Sequence, residues 1–381
     1  MAAEPNLFLY LTQQYRMDYK HRRQRLKKKL RQNKIDVLLV AQPENRRYLS
    51  GFSSQDHTIS ESSGFLYIPA RGKSLLLTDF RYKLQAEKET DLPVQLYLKG
   101  MVSLLEQLIS ASQIKRFGFE SHYTLHSLSV QFNKIGEKKK IAFIPLSDPV
   151  ERMRVIKSEK EIDLIRNSVR LNEEVFNQIF QDLSPQMSEI DVAIALETAM
   201  RKAGAESPSF ETIVAAGSNS ALPHAVPTTT VLGRARSIII DMGLILSGYC
   251  SDMTRTFVLG KPDKRFIDIH RLVSKAHTAG IRAVRAGVTA QDVDRAARKM
   301  ISDAGYGKYF GHSLGHGVGL AVHEEPRVST RSRRKLKAGM VITIEPGIYI
   351  PGWGGVRLEN MVVVREDGCE TLNKDKTWLD I

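Results

Sequence analysis

Residues 343–360 place two acidic side chains in the two arms of a predicted hairpin. The stretch reads T-I-E-P-G-I-Y-I-P-G-W-G-G-V-R-L-E-N, with apolar runs on both sides of a segment rich in Gly and Pro, a pattern typical of a β-hairpin. Folding about Gly352 brings Glu345 and Glu359 opposite, or nearly opposite, each other. Facing carboxylates repel each other, and burying them inside a domain is costly. The stretch therefore predicts that a cation binds between the two arms.

A second predicted hairpin, residues 237–257, has the same arrangement. Its acids, Asp241 and Asp252, lie at equal distances from the midpoint of the predicted turn, between Leu246 and Ser247. Both acids lie within strands that are otherwise apolar. One such pair is compatible with an accident of the surface, whereas two pairs in apolar strands indicate a common cation-binding role.

Short matches 101 residues apart indicate that the two hairpins belong to an internal duplication. Residues 187–192 resemble 288–293, and residues 202–204 resemble 303–305. Each copy has a Ser or Thr cap with an acid three residues later, then a helix, then Gly. Capped helices also resemble each other by chance, but the matched order of helix and acid-bearing hairpin favours duplication. We expect two copies of helices plus hairpin, packed as one curved sheet with the helices outside.

Three of the ten histidines lie in one glycine-rich stretch between the hairpins. Residues 310–326 read F-G-H-S-L-G-H-G-V-G-L-A-V-H-E-E-P and contain His312, His316 and His323. The glycines let the backbone approach a bound group closely. A single His is more often an ordinary core or surface residue than a ligand, but three beside four paired acids favour a ligand role.

The four paired acids carry enough negative charge to be neutralised by two divalent ions, which two of the carboxylates can bridge. One imidazole added to four carboxylates is a mostly hard ligand set, which favours Mn²⁺, Co²⁺ or Fe²⁺ and leaves Zn²⁺ as an alternative. Two such ions can hold a bridging water, lower its pKa and polarise a carbonyl group. The implied reaction is hydrolysis of an amide or an ester. A serine-hydrolase site fits less well because there is no G-x-S-x-G motif, and two cysteines exclude a zinc finger.

The first part of the chain predicts a separate α/β domain. At 381 residues the chain is long for a single domain core. Helical and strand patterns alternate here, and we find no catalytic constellation among them. The capping box Ser158–Glu161 begins a long helical pattern, so we place the domain boundary between residues 152 and 153. The predicted elements are strands at 35–40, 65–68, 74–78, 117–119 and 141–144 and helices at 80–89, 101–111 and 162–183.

The net charge of +14 arises largely from residues 16–34, where ten of 19 residues are Lys or Arg. Leu26 and Leu30 are four residues apart and form a narrow apolar stripe, which favours a helix with a solvated basic face. A nucleic-acid or membrane surface is the alternative. Single-strand binding requires aromatic residues interleaved with the charges, and the run from Lys20 onward contains no Phe, Tyr or Trp. We therefore favour the solvated helix.

Cysteine content and hydropathy favour a cytoplasmic protein. Cys250 and Cys369 cannot form a disulfide framework, and no apolar run is long enough to span a bilayer. The apolar stretch Asn6–Leu11 is short and follows Glu4 rather than a basic segment, so it does not resemble a signal peptide. Cys250 lies two residues before Asp252, so both side chains are expected on the same strand face. We interpret Cys250 as a small buried residue rather than a soft metal ligand.

Three motifs in the second part of the chain resemble the catalytic domain of the M24 metallopeptidases, which has the pita-bread fold. They are G-H-S-L-G-H-G-V-G-L-x-V-H-E-x-P, T-I-E-P-G-I-Y-x-P-G-x-G-G-V-R-x-E-N and D-x₁₀-D-x-T-R-T. Residues 1–152 more loosely resemble the N-terminal domain of aminopeptidase P and prolidase. The resemblance implies an α/β creatinase/prolidase-like domain at 1–152. It also implies an α+β pita-bread (creatinase/aminopeptidase-like) catalytic domain at 153–381 with a pseudo-twofold duplication.

The resemblance also implies a ligand set. The five metal ligands of the family match Asp241, Asp252, His316, Glu345 and Glu359. Asp252 and Glu359 are then expected to bridge two metal ions, while Asp241 completes one site and His316 and Glu345 complete the other. The implied cofactors are two divalent ions, with Mn²⁺ the first choice.

Residues around the metals also acquire roles from the resemblance. His224 matches the histidine on the substrate side, and His312 lines the pocket. His323 matches the histidine that contacts the scissile carbonyl and supports the developing oxyanion. Arg357 lies two residues before the last ligand, hence on the same strand face, and is expected to orient a ligand carboxylate. Glu345 is a candidate for relaying the proton of the attacking water.

These motifs favour a two-metal exopeptidase that cuts the bond before proline in short peptides with proline at the second position. Aminopeptidase P and prolidase (Xaa-Pro dipeptidase) differ in whether residues beyond the proline fit the site, and we favour aminopeptidase P. The long N-terminal domain argues against a methionine aminopeptidase, and the complete ligand set argues against the metal-independent creatinase. A non-catalytic M24-like binding module is a remote alternative, because such relatives have typically lost several ligands. The family resemblance suggests a homodimer.

Overall fold

The computed structural model describes residues 17–56 and 58–375 of the chain, and it divides into two compact units. The first unit ends at Arg154 and the second begins at Val155, two residues after the boundary predicted from the sequence. The apolar stretch Asn6–Leu11 and the first residue of the basic run, Arg16, lie outside the described residues. None of the helices in the described ranges combines the length and the apolar character that crossing a membrane requires.

In the first unit, helices and strands alternate as the sequence predicts. In chain order they are α1 (Tyr19–Gln32), β1 (Val37–Val40), α2 (Pro43–Ser50), β2 (Phe65–Pro69), β3 (Leu75–Thr78), α3 (Lys83–Glu89), β4 (Val94–Leu96), α4 (Met101–Ser110), β5 (Arg116–Glu120), α5 (His126–Lys139), β6 (Ala142–Leu146) and α6 (Glu151–Arg154), with short 3₁₀ helices at Phe80–Tyr82 and Ser121–Tyr123. The strands form one six-stranded sheet in the order β4-β3-β2-β1-β5-β6. Strand β1 is antiparallel to β2 and parallel to β5.

Four helices or strands of the first unit are absent from the sequence-based prediction, among them the four-residue helix α6. Helix α2 has eight residues and β4 has three, and both are too short to show a clear hydrophobic period. Helix α5 begins without a side-chain cap, because its N-cap residue is Leu125. The usual start signal of a helix is therefore missing from the sequence there.

The basic helix α1 packs through the predicted apolar stripe. Leu26 and Leu30 are buried, and two basic side chains turn inward beside them. Arg22 Nη1 donates to the Tyr48 carbonyl at 3.0 Å, and Arg23 Nη1 donates to the Leu49 carbonyl at 2.7 Å. Part of the positive charge of this run therefore serves packing within the first unit.

The described part of the second unit contains four α-helices, followed or separated by short strands. In chain order its elements are α7 (Glu159–Gln181), α8 (Glu189–Lys202), β7 (Ser207–Pro208), β8 (Ile213–Ala216), β9 (Ile238–Met242), β10 (Leu244–Leu246), β11 (Tyr249–Cys250), β12 (Met253–Phe257), α9 (Lys264–Ala283), α10 (Ala290–Asp303), β13 (Gly315–Gly317), β14 (Glu324–Val328), β15 (Val341–Ile344), β16 (Gly347–Ile350), β17 (Gly354–Arg357), β18 (Asn360–Val364) and β19 (Cys369–Thr371), with 3₁₀ helices at Gly217–Ala221 and Gly307–Tyr309. Helices here cover sheets built from antiparallel strands.

The predicted internal repeat is visible in matched helices and matched cores. Helices α8 and α10 each have 14 residues, and their caps, Ser188 and Thr289, each accept a hydrogen bond from the amide three residues later. In the first copy, Leu196 of α8 lies in one buried cluster with Ile240 of β9. In the second copy, Val293 of α10 lies in a buried cluster with Ile342 of β15. Each helix therefore shares a buried core with the hairpin that follows it in the chain.

We expected one curved sheet, but hydrogen bonds do not join all of its strands into a single ladder. In the described part of the second unit, the strands form separate ladders in the orders β12-β9-β8, β11-β10-β7, β14-β13-β15-β18-β19 and β16-β17. The breaks fall at Asp252, at Glu345-Pro346 and at Glu359. Pro346 cannot donate to a ladder. The side chain of Ser251 replaces a ladder contact by accepting from the Leu244 amide at 3.0 Å. The sheets are thus interrupted at three of the four acidic residues, whereas Asp241 lies within β9.

Candidate metal centre and active site

The hairpin at 343–360 folds about the predicted centre. Ile344 pairs with Asn360 in one ladder and Gly347 pairs with Arg357 in the next, so both ladders are centred on Gly352. Gly352 has a φ of 76°, which favours glycine. Glu345 and Glu359 lie opposite each other in the gap between the ladders rather than within the strands. The facing arrangement of the two acids is therefore confirmed.

The hairpin at 237–257 has a different register from the predicted one. Asp241 pairs with Thr254 instead of Asp252. Its turn is formed by Ser247 and Gly248, which have φ values of 51° and 84°, so the predicted turn centre is one residue too early. The resulting register shift is two residues, and side chains two apart point to the same face. Asp241 and Asp252 consequently remain on one face as diagonal neighbours.

Three of the other four predicted ligands, Asp252, Glu345 and Glu359, converge on His316. Ligand atoms of Asp252, His316 and Glu359 all lie within 4.8 Å of one another. The Nε2 atom of His316 is 3.5 Å from Asp252 Oδ2 and 3.4 Å from Glu345 Oε1. Strand β13 can bring His316 this close because its neighbour is glycine: a Cβ on Gly315 would lie 2.0 Å from the Thr343 carbonyl oxygen.

Arg357 lies close to Asp252, Glu345 and Glu359, but its positive charge does not offset their burial and mutual repulsion. Burial, followed by the repulsion of Glu359, raises the pKa of Asp252 well above its usual value, and Glu345 behaves in the same way. Burial, with Asp241 next, raises the pKa of Glu359 to about 8. Within the described residues, Glu359 Oε1 and Asp241 Oδ1 are buried without a hydrogen-bond partner. Free acceptor atoms beside clustered carboxylates are what divalent cations bind.

The imidazole of His316 is also suited to a metal. Burial, followed by the neighbouring His323, lowers the pKa of His316 to about 4, so the ring is neutral at physiological pH and can ligate. Its Nδ1 atom is 3.1 Å from the Gly317 carbonyl, which leaves Nε2 facing Asp252 and Glu345. The residues present therefore fit divalent metal ions.

Two threonines absent from the sequence-based prediction hold the glutamates in place. Thr254 Oγ1 donates to Glu359 Oε2 at 2.7 Å. Thr343 Oγ1 donates to Glu345 Oε1 at 3.2 Å and accepts from the His316 amide at 3.1 Å. Each threonine lies two residues along the chain from a predicted ligand, Asp252 or Glu345, in the same arm of a hairpin. The alternation of side chains in that arm was therefore a signal that could have identified both threonines.

Arg357 links the two hairpins. Its Nη2 atom donates to Asp241 Oδ2 at 2.7 Å and its Nε atom to Thr254 Oγ1 at 3.0 Å. The carboxylate that it orients is therefore on the other hairpin. Its Nη1 atom donates to the hydroxyl of Tyr349 at 2.7 Å. Burial raises the pKa of Tyr349 to about 12, so this phenol, also missing from the sequence-based prediction, stays protonated.

We predict that Arg357→Lys weakens both metal binding and catalysis. A lysine keeps the charge but cannot reach Asp241, Thr254 and Tyr349 at once, because it lacks the planar fork of arginine. Loss of such a supporting contact lowers metal affinity or activity by about 10- to 100-fold. Mn²⁺ titration and kcat/KM measure the effect. Arg365→Lys is the control, since Arg365 pairs with Glu159 and Glu370; equal behaviour of the two variants would contradict the prediction.

The predicted substrate-side histidines lie at the edge of this centre. The rings of His316 and His323 are 4.2 Å apart between centroids. Burial, followed by the nearby His224, lowers the pKa of His323. The carbonyl of Pro223, next to His224, accepts from Arg357 Nη1 at 3.2 Å. The structure thus brings both histidines to the cluster of predicted ligands.

A buried ion pair supports the loop that carries His323. Lys157 Nζ lies 3.1 Å from Glu324 Oε2, and the two side chains are 2% and 7% exposed. Glu324 Oε1 accepts from the Ala321 amide at 3.1 Å. A Cβ on Gly319 would lie 2.7 Å from both carboxylate oxygens of Glu324. The sequence carries no periodic signal for this pair, because its members are 167 residues apart.

His312 lies against Tyr349, and Cys250 is buried as the sequence predicts. His312 Nε2 is 3.0 Å from the hydroxyl of Tyr349, and burial lowers the pKa of this imidazole to about 4. Cys250 is 1% exposed and its thiol donates to the Leu320 carbonyl at 3.6 Å. It is a small buried residue.

Both parts of the chain match known protein families. Residues 163–366 match the model of metallopeptidase family M24, and residues 22–156 match that of the creatinase/prolidase N-terminal domain. An Xaa-Pro dipeptidase from Pyrococcus horikoshii is 37% identical over 352 residues, which cover 91% of this chain and 95% of the relative.

Solved structures with the same two-domain plan match nearly the whole chain. An Xaa-Pro dipeptidase from Bacillus anthracis is 35% identical with a TM-score of 0.88, covering 96% of this chain and 100% of that one. An X-Pro aminopeptidase from Thermotoga maritima is 37% identical with a TM-score of 0.81, covering 90% and 96%. These matches confirm the predicted fold class, an α/β N-terminal domain followed by a pita-bread domain. The chain therefore belongs to metallopeptidase family M24 and is a metal-dependent peptidase.

Proposed function

We propose that this protein is an Xaa-Pro dipeptidase that hydrolyses the bond before proline. The observation that carries the proposal is the convergence of Asp252, Glu345 and Glu359 on His316, with ligand-to-imidazole distances of 3.4 and 3.5 Å. This cluster lies in a chain that matches a dipeptidase over 91% of its length. Three acids and one imidazole in a buried setting support hydrolytic metal chemistry rather than a binding role.

The five residues Asp241, Asp252, His316, Glu345 and Glu359 are proposed to hold two divalent ions. When bound, such ions polarise the scissile carbonyl and make a water nucleophilic at neutral pH. Asp252 and Glu359 are the proposed shared ligands. The mostly carboxylate donor set favours Mn²⁺, with Co²⁺, Fe²⁺ and Zn²⁺ as alternatives.

The remaining proposed roles belong to side chains next to the ligands. His323, in ring contact with His316, is positioned to donate to the developing oxyanion, and His224 binds the substrate on the same side. Glu345 accepts the proton of the attacking water and passes it to the leaving amine. Arg357 holds Asp241 through the 2.7 Å contact, and His312 lines the substrate pocket.

The relatives support a dipeptidase better than the aminopeptidase P that the sequence motifs favour. Xaa-Pro dipeptidases from two Pyrococcus species are 37% and 36% identical over more than nine tenths of this chain. Aminopeptidase P is kept as a second candidate, because the X-Pro aminopeptidase from Thermotoga maritima is equally close in sequence at 37% identity.

A comparison of peptide lengths tests the proposal. With Mn²⁺, kcat/KM is expected to be at least about tenfold higher for Met-Pro than for Met-Pro-Gly, because a site built to pair a free carboxylate rejects a substrate that lacks one there. The reversed dipeptide Pro-Met is the control and is expected to resist cleavage. Preference for the tripeptide would replace the dipeptidase with aminopeptidase P. Failure to cleave either substrate with Mn²⁺, Co²⁺ or Zn²⁺ would overturn the peptidase proposal in favour of a binding module.

A homodimer and a cytoplasmic location are also proposed. The dimer comes from the family resemblance, and sedimentation equilibrium tests it. The location rests on two cysteines that are both free thiols in the structure, and on the wider sequence argument.

A further inference from the structure

Helix α10 carries a buried charged pair, Asp294 and Arg298, outside the metal centre. Asp294 is fully buried and the Arg298 side chain is 21% exposed. The pair is bidentate: Arg298 Nε donates to Asp294 Oδ2 at 2.7 Å, and Nη2 donates to Oδ1 at 2.8 Å. A forked contact of this kind specifies orientation as well as charge.

The same pair binds three backbone groups of the segment that leads to His316. Arg298 Nη1 donates to the Phe310 carbonyl at 2.8 Å, and Nη2 donates to the His312 carbonyl at 2.7 Å. The Leu314 amide donates to Asp294 Oδ1 at 3.1 Å. Residues 311–314 belong to neither a helix nor a strand, so the pair is a main support of their path.

The supported segment reaches the metal centre through His312. The Arg298 guanidinium lies 4.0 Å from the centre of the Phe310 ring, and that ring meets His312 edge-on at 5.1 Å. His312 Nε2 is 3.0 Å from the Tyr349 hydroxyl. Tyr349 in turn accepts from Arg357 at 2.7 Å. Contacts therefore run without interruption from a helix outside the sheet to the residue that holds Asp241.

We propose that Asp294 and Arg298 form a clamp that positions His312 for substrate binding. The inference rests on the proposed function, in which His312 lines the substrate pocket. Neither residue touches substrate, so both are positioning residues. The clamp acts by holding two carbonyls and one amide of one short segment at the same time.

Solvent reaches the clamp through a cavity on α10. A cavity of about 250 Å³ opens on α10 and is lined by Arg298, Asp294 and neighbouring basic residues. Those neighbours are paired within the helix, Arg295 with Asp292 and Lys299 with Asp303. A small cation can therefore enter beside Arg298, and Arg295 offers a matched control.

The variant Arg298→Lys distinguishes the positioning of His312 from the effect of the positive charge beside Asp294. Lysine keeps the positive charge beside Asp294 but cannot bind the carboxylate and both carbonyls together. We expect KM for Met-Pro to rise about tenfold or more, as small displacements in an active site do, with a smaller change in kcat and full metal content. Hydrogen exchange of the peptide covering 310–316 is expected to be faster, and Arg295→Lys is expected to match the wild type in both measurements.

A double-mutant cycle tests whether Arg298 acts through His312. If it does, adding Arg298→Lys to His312→Ala causes less than about a twofold further loss of kcat/KM, because coupled sites are not additive. Additive losses would show that Arg298 contributes only general stability, and would overturn the clamp. In Arg298→Ala, millimolar methylguanidinium entering through the cavity is expected to restore a substantial part of the activity, whereas an equal concentration of NaCl is not.

Hydrogen exchange tests the clamp proposal independently of the proposed function, because it does not require peptidase activity. If the wild type cleaves no Xaa-Pro peptide, the proposed function fails, but exchange in 310–316 still reports the clamp. Unchanged exchange there in both Arg298→Lys and Asp294→Asn overturns the clamp whatever the activity.

Discussion

Asp252→Asn is expected to abolish peptidase activity while leaving the protein folded. Asp252 is a proposed ligand of both ions, so the amide removes a shared anionic ligand. A loss of several kcal/mol of transition-state stabilisation corresponds to about a 10³-fold fall in kcat/KM. The metal-free fold is expected to tolerate the change, because Asp252 is repelled by Glu359, Asp241 and Glu345 and asparagine has nearly the same shape.

Kinetics, metal analysis and circular dichroism of the same preparation check this result. Asp268→Asn is the control, because Asp268 is exposed on α9. It removes one acid from the same unit without altering the cluster. Near-normal turnover of Asp252→Asn with bound Mn²⁺ would show that the site assignment is wrong. Unfolding of the metal-free variant would show that Asp252 has a structural role that the repulsion argument leaves out.

The metal-free protein is expected to lose stability as the pH rises from about 6.5 to 8. In this range the folded state keeps protons that the unfolded state has released, since the folded pKa of Glu359 is about 8 against an ordinary value of 4.5. The free energy of unfolding then falls with pH by about 1.4 kcal/mol per unit for each retained proton. Glu359 alone contributes about 2 kcal/mol over this interval, and Asp252 and Glu345 act in the same direction.

The histidines set the lower limit of this pH range. Burial lowers the pKa of His312 and His316 to about 4, so below pH 6.5 their protonation favours the unfolded state. Stability then rises with pH and opposes the carboxylate effect. In the unfolded state these imidazoles are half protonated near pH 6.5, so their titration offsets part of the carboxylate effect up to about pH 7.5. At higher pH they are neutral in both states, and the carboxylate effect remains.

Bound Mn²⁺ is expected to reverse the pH dependence. The ions favour ionised ligands, so metal binding strengthens as the ligands lose protons. Urea unfolding of chelator-treated and Mn²⁺-loaded protein at pH 6.5, 7 and 8 measures the difference, and Glu359→Gln is expected to flatten the metal-free slope. A metal-free stability that is constant or rising over this interval would contradict the assignment of these residues to a cation site.

Predictions based on strand alternation and turn residues succeeded where both signals are local. The register of the hairpin around Gly352 follows from the Gly- and Pro-rich turn, and the structure confirms it. For the hairpin at 237–257, the predicted turn centre was one residue too early. The reason is that Ser247 adopts a positive φ, which its residue type does not demand. Side chains alternate between the two faces of a strand with a period of two, so the resulting two-residue shift in register does not change their face. Asp241 and Asp252 therefore still share a face.

Elements without a start signal or a full period were not predictable from the sequence. Helix α5 lacks a side-chain cap, and β4 is only three residues long. The sheet breaks at Asp252, Glu345 and Glu359 were missed for another reason. Apolar strand patterns run through these positions, but hydrogen bonding within each ladder stops there. Which backbone groups pair is decided by neighbouring strands, not by the pattern of one strand.

The amino-acid sequence alone was sufficient to nominate the acids, the histidines and the two-copy plan of the second unit. These depend on spacing, and spacing along a strand or helix dictates which side chains share a face. Tertiary structure decided which faces meet. Arg357 binds Asp241 across 116 residues, Lys157 binds Glu324 across 167, and the Arg298 clamp reaches His312 from a helix outside the sheet. Such contacts arise when separate elements pack on a common core, and no period within one element encodes them.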